Sequence, residues 1–105
     1  MKIGVAATGE SLEAEVSDQF GRCPYFVIVD SETFDFQAFV NPAETMPGGA
    51  GPAAVQELIR RGVAVALAAK FGPKAQQALD AAGLGWSEAS GTVRQAVATW
   101  AGQKA

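Results

Sequence analysis

The spacing of apolar and polar positions changes character midway along the chain. In the first half the pattern is that of strands. Ile3, Val5, Ala6 and Ala7 leave almost no alternation, so Lys2–Ala7 reads as a short strand buried on both faces. Tyr25–Asp30 is aromatic and β-branched and predicts a second strand, followed by a tight turn at Ser31-Glu32-Thr33. Phe34–Val40 sets Phe34, Phe36 and Val40 at even spacing with Asp35 and Gln37 between them, the pattern of a half-exposed strand at a sheet edge.

In the second half the period becomes helical. Ala54, Val55, Leu58 and Ile59 share one face, opposite Gln56, Glu57 and Arg60, and Gly62 supplies the stop. Val63–Ala69 is a continuous apolar run suited to a central parallel strand. Ala75, Ala78, Leu79 and Ala82 form the next stripe, with Pro73 in a first-turn position and Gly83 at the end. Leu84–Glu88 around Trp86 reads as a short strand. Val93, Ala96, Val97 and Trp100 form the last stripe, behind a Thr92/Gln95 capping box.

The predicted order is βββαβαβα, an α/β fold of one domain over residues 1–105 with a five-stranded mixed sheet. Its second half calls for parallel pairing through crossovers. Two connections, Thr8–Pro24 and Asn41–Gly51, are long for so small a domain, and long loops are often functional.

Placing Tyr25–Asp30 antiparallel to Lys2–Ala7, and the other strands parallel to the first, gathers a particular set of segments at one end of the sheet. They are Thr8-Gly9, Gly21–Pro24, Asn41–Gly51, Lys70–Pro73 and Ser90–Thr92, together with the starts of all three helices. Helix N-termini carry unpaired N–H groups and partial positive charge. Arg22, Lys70 and Lys74 add full charges, and glycines at 48, 49, 51, 72 and 91 let backbone approach a ligand. An anion-binding rim is the expectation, in line with the ligand position of open α/β sheets.

Composition narrows the chemistry. A 49% hydrophobic, 18% charged chain can build a core, and a net charge of −3 argues against general nucleic-acid binding. The apolar run ends at Lys70, too short for a bilayer, and the N-terminus lacks a signal-peptide pattern, so a cytoplasmic location is expected. With no histidine, Ser-His-Asp and Cys-His catalysis are excluded. With one cysteine, an internal disulfide and a four-thiolate cluster from one chain are excluded too. Two-metal nuclease chemistry needs clustered carboxylates, yet the first strand carries none, and Asp30 and Asp35 flank a turn at the far end.

The stretch from Val16 to Asp30, containing Phe20-Gly21-Arg22-Cys23-Pro24-Tyr25-Phe26-Val27-Ile28-Val29-Asp30, resembles the FGRxPYFxIVD segment of the dinitrogenase iron–molybdenum cofactor biosynthesis family. Pro47-Gly48-Gly49-Ala50-Gly51 resembles that family's glycine-rich loop. Gly62-Val63, Phe71–Ala75, Ala81–Gly83 and Ser90–Val93 match further landmarks in the same order. Gln19 stands where members often have histidine, and Cys23 where many have a small residue. The resemblance, to a family that includes NifX-like carriers, NifB C-terminal domains and a molybdenum–copper orange protein, implies a ribonuclease H-like domain. It also implies a non-catalytic, noncovalent carrier of an anionic metal–sulfur cluster of Mo-Cu-S or Fe-Mo-S type, served by donor and acceptor proteins. The alternative is a regulatory or interaction module for a phosphate-containing metabolite or a protein partner.

Each candidate residue has a functional and a structural reading. Cys23 is a thiolate ligand with a pKa lowered by Arg22 and a helix N-terminus, a hydrogen-bond partner of a cluster sulfide, or a small buried hydrophobe. Met46 is a soft metal donor, or a loop residue capping apolar surface. Arg22 neutralises an anion, or pairs with Asp18 or Asp30. Gly48, Gly49 and Gly51 form an anion nest, or a turn into a helix. Lys70 supplies charge to the rim. Gly72 and the Gly91-Thr92 pair either offer backbone N–H groups to a ligand or are plain helix starts.

Overall fold

The computed structural model describes residues 1–104, with side chains through Gly102. Its elements are β1 (Lys2–Ala7), β2 (Tyr25–Asp30), β3 (Phe36–Val40), α1 (Ala50–Arg60), β4 (Val65–Ala68), α2 (Pro73–Ala81), β5 (Gly85–Glu88) and α3 (Val93–Lys104). The five strands form one mixed sheet in the order β3-β2-β1-β4-β5. β1 pairs antiparallel with β2 and parallel with β4, β2 pairs antiparallel with β3, and β4 pairs parallel with β5.

The lack of alternation in β1 has a direct structural cause. Ile3, Val5 and Ala7 face one side of the sheet, where Val93, Ala96 and Val97 of α3 cover them. Ala6 faces the other side, where Ala54 and Leu58 of α1 and Leu79 of α2 complete a second core. Gly4 lies on that second side as well. A methyl group there would come within 3.0 Å of a Leu58 methyl, so the missing side chain is what lets α1 settle onto the central strand. A row of rings runs across this second core. Phe39, Phe26, Phe20, Phe71 and Trp86 stand with successive centroids 5.7, 5.4, 5.2 and 5.0 Å apart. It links the two sheet edges beneath α1 and α2.

The capping box of α3 forms as the sequence predicts. The Gln95 amide donates to Thr92 Oγ1 at 3.1 Å, and Gln95 Oε1 accepts from the Thr92 amide at 3.0 Å. The β2–β3 turn differs from expectation. Phe34 does not belong to the strand; it adopts φ 61°, donates its N–H to Asp30 O, and packs its ring toward the α3 side. The strand therefore begins at Phe36. Asp30 Oδ1 accepts the Glu32 N–H in the same turn, which holds the Asp30 carboxyl below the usual carboxylate range. No helix among the described residues is long and apolar enough to cross a membrane.

Because α3 alone carries a full side-chain cap and packs away from α1 and α2, the box is a stability device. Replacing Thr92 with alanine is expected to cost about 1 kcal/mol. Chemical denaturation reads the loss, and amide shifts around Gly48–Gly51 and Lys70–Ala75 should stay unchanged.

Candidate functional site

The long Thr8–Pro24 connection is stitched along the ends of β1 and β4. Ser17 donates its N–H to Ala6 O and accepts the Ala69 N–H; Phe20 then donates to Lys70 O. This path delivers Gly21 and Arg22 to the end of the sheet where β1, β3 and β4 finish. Helices α1 and α2 begin at the same end. The three segments Gln19–Arg22, Gly48–Pro52 and Lys70–Ala75 enclose an open cup of ≈ 650 Å³.

Backbone contact sets the shape of the cup. A methyl group on Gly21 would lie 2.8 Å from the Gly51 nitrogen and 2.9 Å from its Cα. One on Gly51 would lie 3.0 Å from the Ala75 Cβ. The Phe20–Arg22 loop, the first turn of α1 and the first turn of α2 therefore stack with nothing larger than the Ala75 methyl between them. Gly49 caps α1 at φ 72°, a conformation costly for residues with a Cβ. Methyl groups built on Gly48, Gly49 or Gly72 would meet nothing within 4 Å, so these positions open to the cup and its mouth.

The electrostatics are one-sided. Neither α1 nor α2 has a side-chain cap or an acidic residue in its first turn. The Ala50 and Gly51 amides, and those of Lys74 and Ala75, have no carbonyl partner within their own helices. Arg22, Lys70 and Lys74 line the same space, and no carboxylate does. A chain of net charge −3 thus concentrates positive potential at one spot.

Two side chains hold the loops that form the wall. Asn41, buried, donates through Nδ2 to Gly21 O at 3.1 Å and Cys23 O at 2.9 Å, and accepts the Ala43 N–H at 3.0 Å. Arg22 donates to the backbone carbonyls of Glu44, at 3.1 Å, and of Met46. Its guanidinium clamps the loop that leads to Gly48, and it does not make the alternative pairing with Asp18 or Asp30.

The expected site residues separate into groups. Arg22, Gly48, Gly49, Gly51, Lys70 and Gly72 come together in the cup. Cys23 lies just beneath it with no solvent exposure, and its thiol donates to Phe20 O at 3.2 Å. Burial pushes its pKa up to about 12, opposite to the expected direction, because desolvation outweighs the hydrogen bonds from the Ala7 backbone and Asn41 that favour the thiolate. Met46 is on the loop surface, outside the cup wall, and is tied to it only through its backbone carbonyl. Gly91 and Thr92 lie elsewhere. Gly91 O accepts the Val16 N–H, and the pair borders a separate recess with Glu15 and Asp18. All three helices do begin at this end of the sheet, but α3 packs on the opposite face, so its N-terminus opens on that side and not into the cup.

Two parts of the wall escaped the sequence reading. Asn41 directly precedes a proline after a strand, a signal for a side-chain-closed turn that points to its role. Ala75 registers only as an apolar helix position, and its value is its small size against Gly51. Among the described residues no group of three or more Cys, Asp and Glu is placed to hold a metal ion.

The chain matches the dinitrogenase iron-molybdenum cofactor family model over residues 1–103 and belongs to that family. It is similar to the apo form of the orange protein from Desulfovibrio gigas, at 40% identity and a TM-score of 0.92, covering 98% of this chain and 88% of that one. It is also similar to a candidate NifB protein from Thermotoga, at 31% identity and a TM-score of 0.81, covering 96% and 87%. No curated protein sequence matches the chain.

Gly21→Ala is expected to destabilise the fold by about 1–3 kcal/mol through overpacking against the α1 backbone. Asn41→Ala is expected to cost a similar amount, about 1–3 kcal/mol, by leaving buried carbonyls unpartnered. Urea unfolding measures both. Cys23 gives a pH signature. Its thiol is neutral in the folded chain up to about 12 and ordinarily ionises near 9.0, so its contribution is complete below pH 9 and is lost between these values. Stability should fall across that window by up to about 1.4 kcal/mol per pH unit more than in Cys23→Ala. At neutral pH an aromatic disulfide reagent should label Cys23 only after denaturant is added.

Proposed function

We propose that the cup is the binding site of a noncovalent carrier for an anionic metal–sulfur cluster containing molybdenum with iron or copper. The observation that carries this reading is the meeting of two helix N-termini without side-chain caps, beside three cations, in a chain of this family. The cluster is cargo here. The amides of Ala50, Gly51, Lys74 and Ala75 supply hydrogen-bond donors to its sulfides, and Arg22, Lys70 and Lys74 supply charge. Gly48, Gly49 and Gly72 keep the approach to the backbone clear. Cys23, beneath the cup, and Met46, on the loop outside it, do not contact the cargo, which leaves the cluster free of protein thiolates.

This mode of holding suits a carrier. Donors fixed in the backbone need no deprotonation, and release requires no metal–ligand bond in the protein to break. We read the chain as non-catalytic and cytoplasmic, handing its cargo between donor and acceptor proteins. The absence of any carboxylate from β1 supports this over a nuclease-like activity. The order β3-β2-β1-β4-β5, with β2 antiparallel to its neighbours, supports a ribonuclease H-like classification. Gly91 and Thr92, on the other side of the sheet, have no part in holding the cargo.

Anaerobic incubation with tetrathiomolybdate and copper(I) is expected to give a visible chromophore that co-elutes with the protein, with metal and acid-labile sulfide in fixed ratio. Lys70→Ala and Lys74→Ala should each weaken binding roughly two- to fivefold, the scale of an exposed charge contact. Raising the salt concentration should weaken binding too. Cys23→Ala and Met46→Ala should bind as the parent does. Failure to retain both this cluster and a nitrogenase cofactor precursor overturns the proposal. Tight binding of a nucleotide or inorganic phosphate without a charge-transfer band would assign the cup to a phosphate-containing ligand.

A further inference from the structure

β3 is an edge strand whose chemistry is self-complementary. The Asp30 N–H donates to Asp35 O, and the Asn41 N–H donates to Pro24 O. These bonds set the parity of the β2–β3 ladder: residues 35, 37, 39 and 41 direct their backbone groups toward β2. Residues 36, 38 and 40 therefore direct theirs outward, to the open edge. The same three residues share one side-chain face, and two of them are large apolar groups left in solvent. Phe36 is 43% exposed and Val40 is 62% exposed. Natural edges are commonly blunted by lysine, proline or a bulge. Phe36-Gln37-Ala38-Phe39-Val40 contains no charged residue and no proline, whereas the opposite edge, β5, has Gly85 and Glu88.

We propose that β3 is a homodimerisation edge that pairs antiparallel with β3 of a second copy about a two-fold axis through Ala38. In that register residue 36 lies opposite 40 of the other copy, and 38 lies opposite 38. All three are hydrogen-bonded pairs, because 36, 38 and 40 are the residues with outward backbone groups. Phe36 of each copy then packs against Val40 of the other, removing both from water. Charge is compatible as well. Arg61 stands over the Phe39 ring, 3.7 Å from its centroid, and is paired within its own helix to Glu57 at 3.1 Å. Phe39 faces Gln37 of the other copy, so Asp35 of that copy comes diagonally alongside Arg61. No like charges oppose one another across the axis. The product is one continuous sheet of ten strands with the two cups at opposite ends. Five paired residues on each side form a contact well below the area of permanent dimers, so association is weak and concentration-dependent.

Sedimentation velocity over about 10 µM to about 1 mM tests this, a range that spans weak association. The weight-average mass is expected to rise from 10.8 kDa toward twice that value. Ala38→Pro removes an outward N–H and no bond to β2, so it should keep the chain folded and monomeric throughout. The double substitution Phe36→Lys with Val40→Lys should also be monomeric. Mixing it with Phe36→Glu/Val40→Glu should restore a heterodimer, which supports the stated register even if the proline variant fails to fold. Amide exchange provides a separate readout. The N–H groups of 36, 38 and 40 should gain protection with concentration, while those of 37 and 39 should be protected at every concentration. A mass fixed at 10.8 kDa, or association that survives both the proline and the lysine substitutions, overturns the proposal. So does protection of 36, 38 and 40 that appears only when an unrelated apolar peptide is added. None of these outcomes depends on what the cup binds.

Discussion

The contact on which the cup depends is backbone against backbone. Gly21, Gly51 and Ala75 bring a loop and two helix starts together with no room for a larger group at the two glycines. Everything useful about the site follows from that closeness. Were the first turns of α1 and α2 held apart by ordinary side chains, their free N–H groups would point at separate patches of solvent. Stacked through Gly51, they face one volume. The macrodipole of a helix fades within a turn, so convergence matters more than the number of helices.

Keeping the three segments in contact is a problem of polar satisfaction as much as packing. The Thr8–Pro24 and Asn41–Gly49 connections carry many backbone groups that the sheet cannot pair. Ser17 and Phe20 tie the first connection to β1 and β4 through main-chain bonds. Asn41 closes the second, and in doing so satisfies the carbonyls of Gly21 and Cys23. Arg22 reaches back to Glu44 and Met46. Below them, Phe20 and Phe71, the middle of the row of rings, line the cup and make its floor apolar. A cup with an apolar floor and a positive lip favours a large, soft, weakly hydrated anion over a small, strongly hydrated one, since the latter would lose more hydration than the lip returns.

Much of the fold was legible because periodicity reports burial directly. The unbroken apolar runs at Ile3–Ala7 and Val63–Ala69 required helices on both faces of the sheet, and α1 with α2 on one side and α3 on the other meet that requirement. The same fact explains the miss at Gly91 and Thr92. An end-on view of the strands places every connection at one rim, but a sheet has two sides, and α3 is the helix that must cover the side of Val5 and Leu67. The cysteine was misjudged for a related reason. Linear distance from Arg22 says nothing of depth, and Cys23 turns beneath the loop while Arg22 turns out. For β3 the alternation correctly marked an edge. It did not distinguish residues that face a neighbouring helix from residues that face water, because α3 does not extend over Phe36 and Val40.

The three helices divide the work of stability and binding between the two faces of the sheet. α3 closes its N-terminus with its own Thr92 and Gln95 and spends none of its polarity on an outside group. α1 and α2 begin with Gly49 and Gly72, which cap nothing with a side chain. Relative to serine or aspartate caps, that choice gives up a few tenths of a kcal/mol at each helix. At Gly72, whose backbone is extended, a carboxylate would recover the loss but would also place a negative charge in the cup, repelling an anionic guest; at Gly49 the φ of 72° already disfavours any residue with a Cβ. The unsatisfied starts of α1 and α2 are therefore best understood as a deficit that the guest itself fills. On this argument the protein is more stable loaded than empty, and the gain should appear on the α1/α2 face while α3, already complete, is indifferent to the cargo.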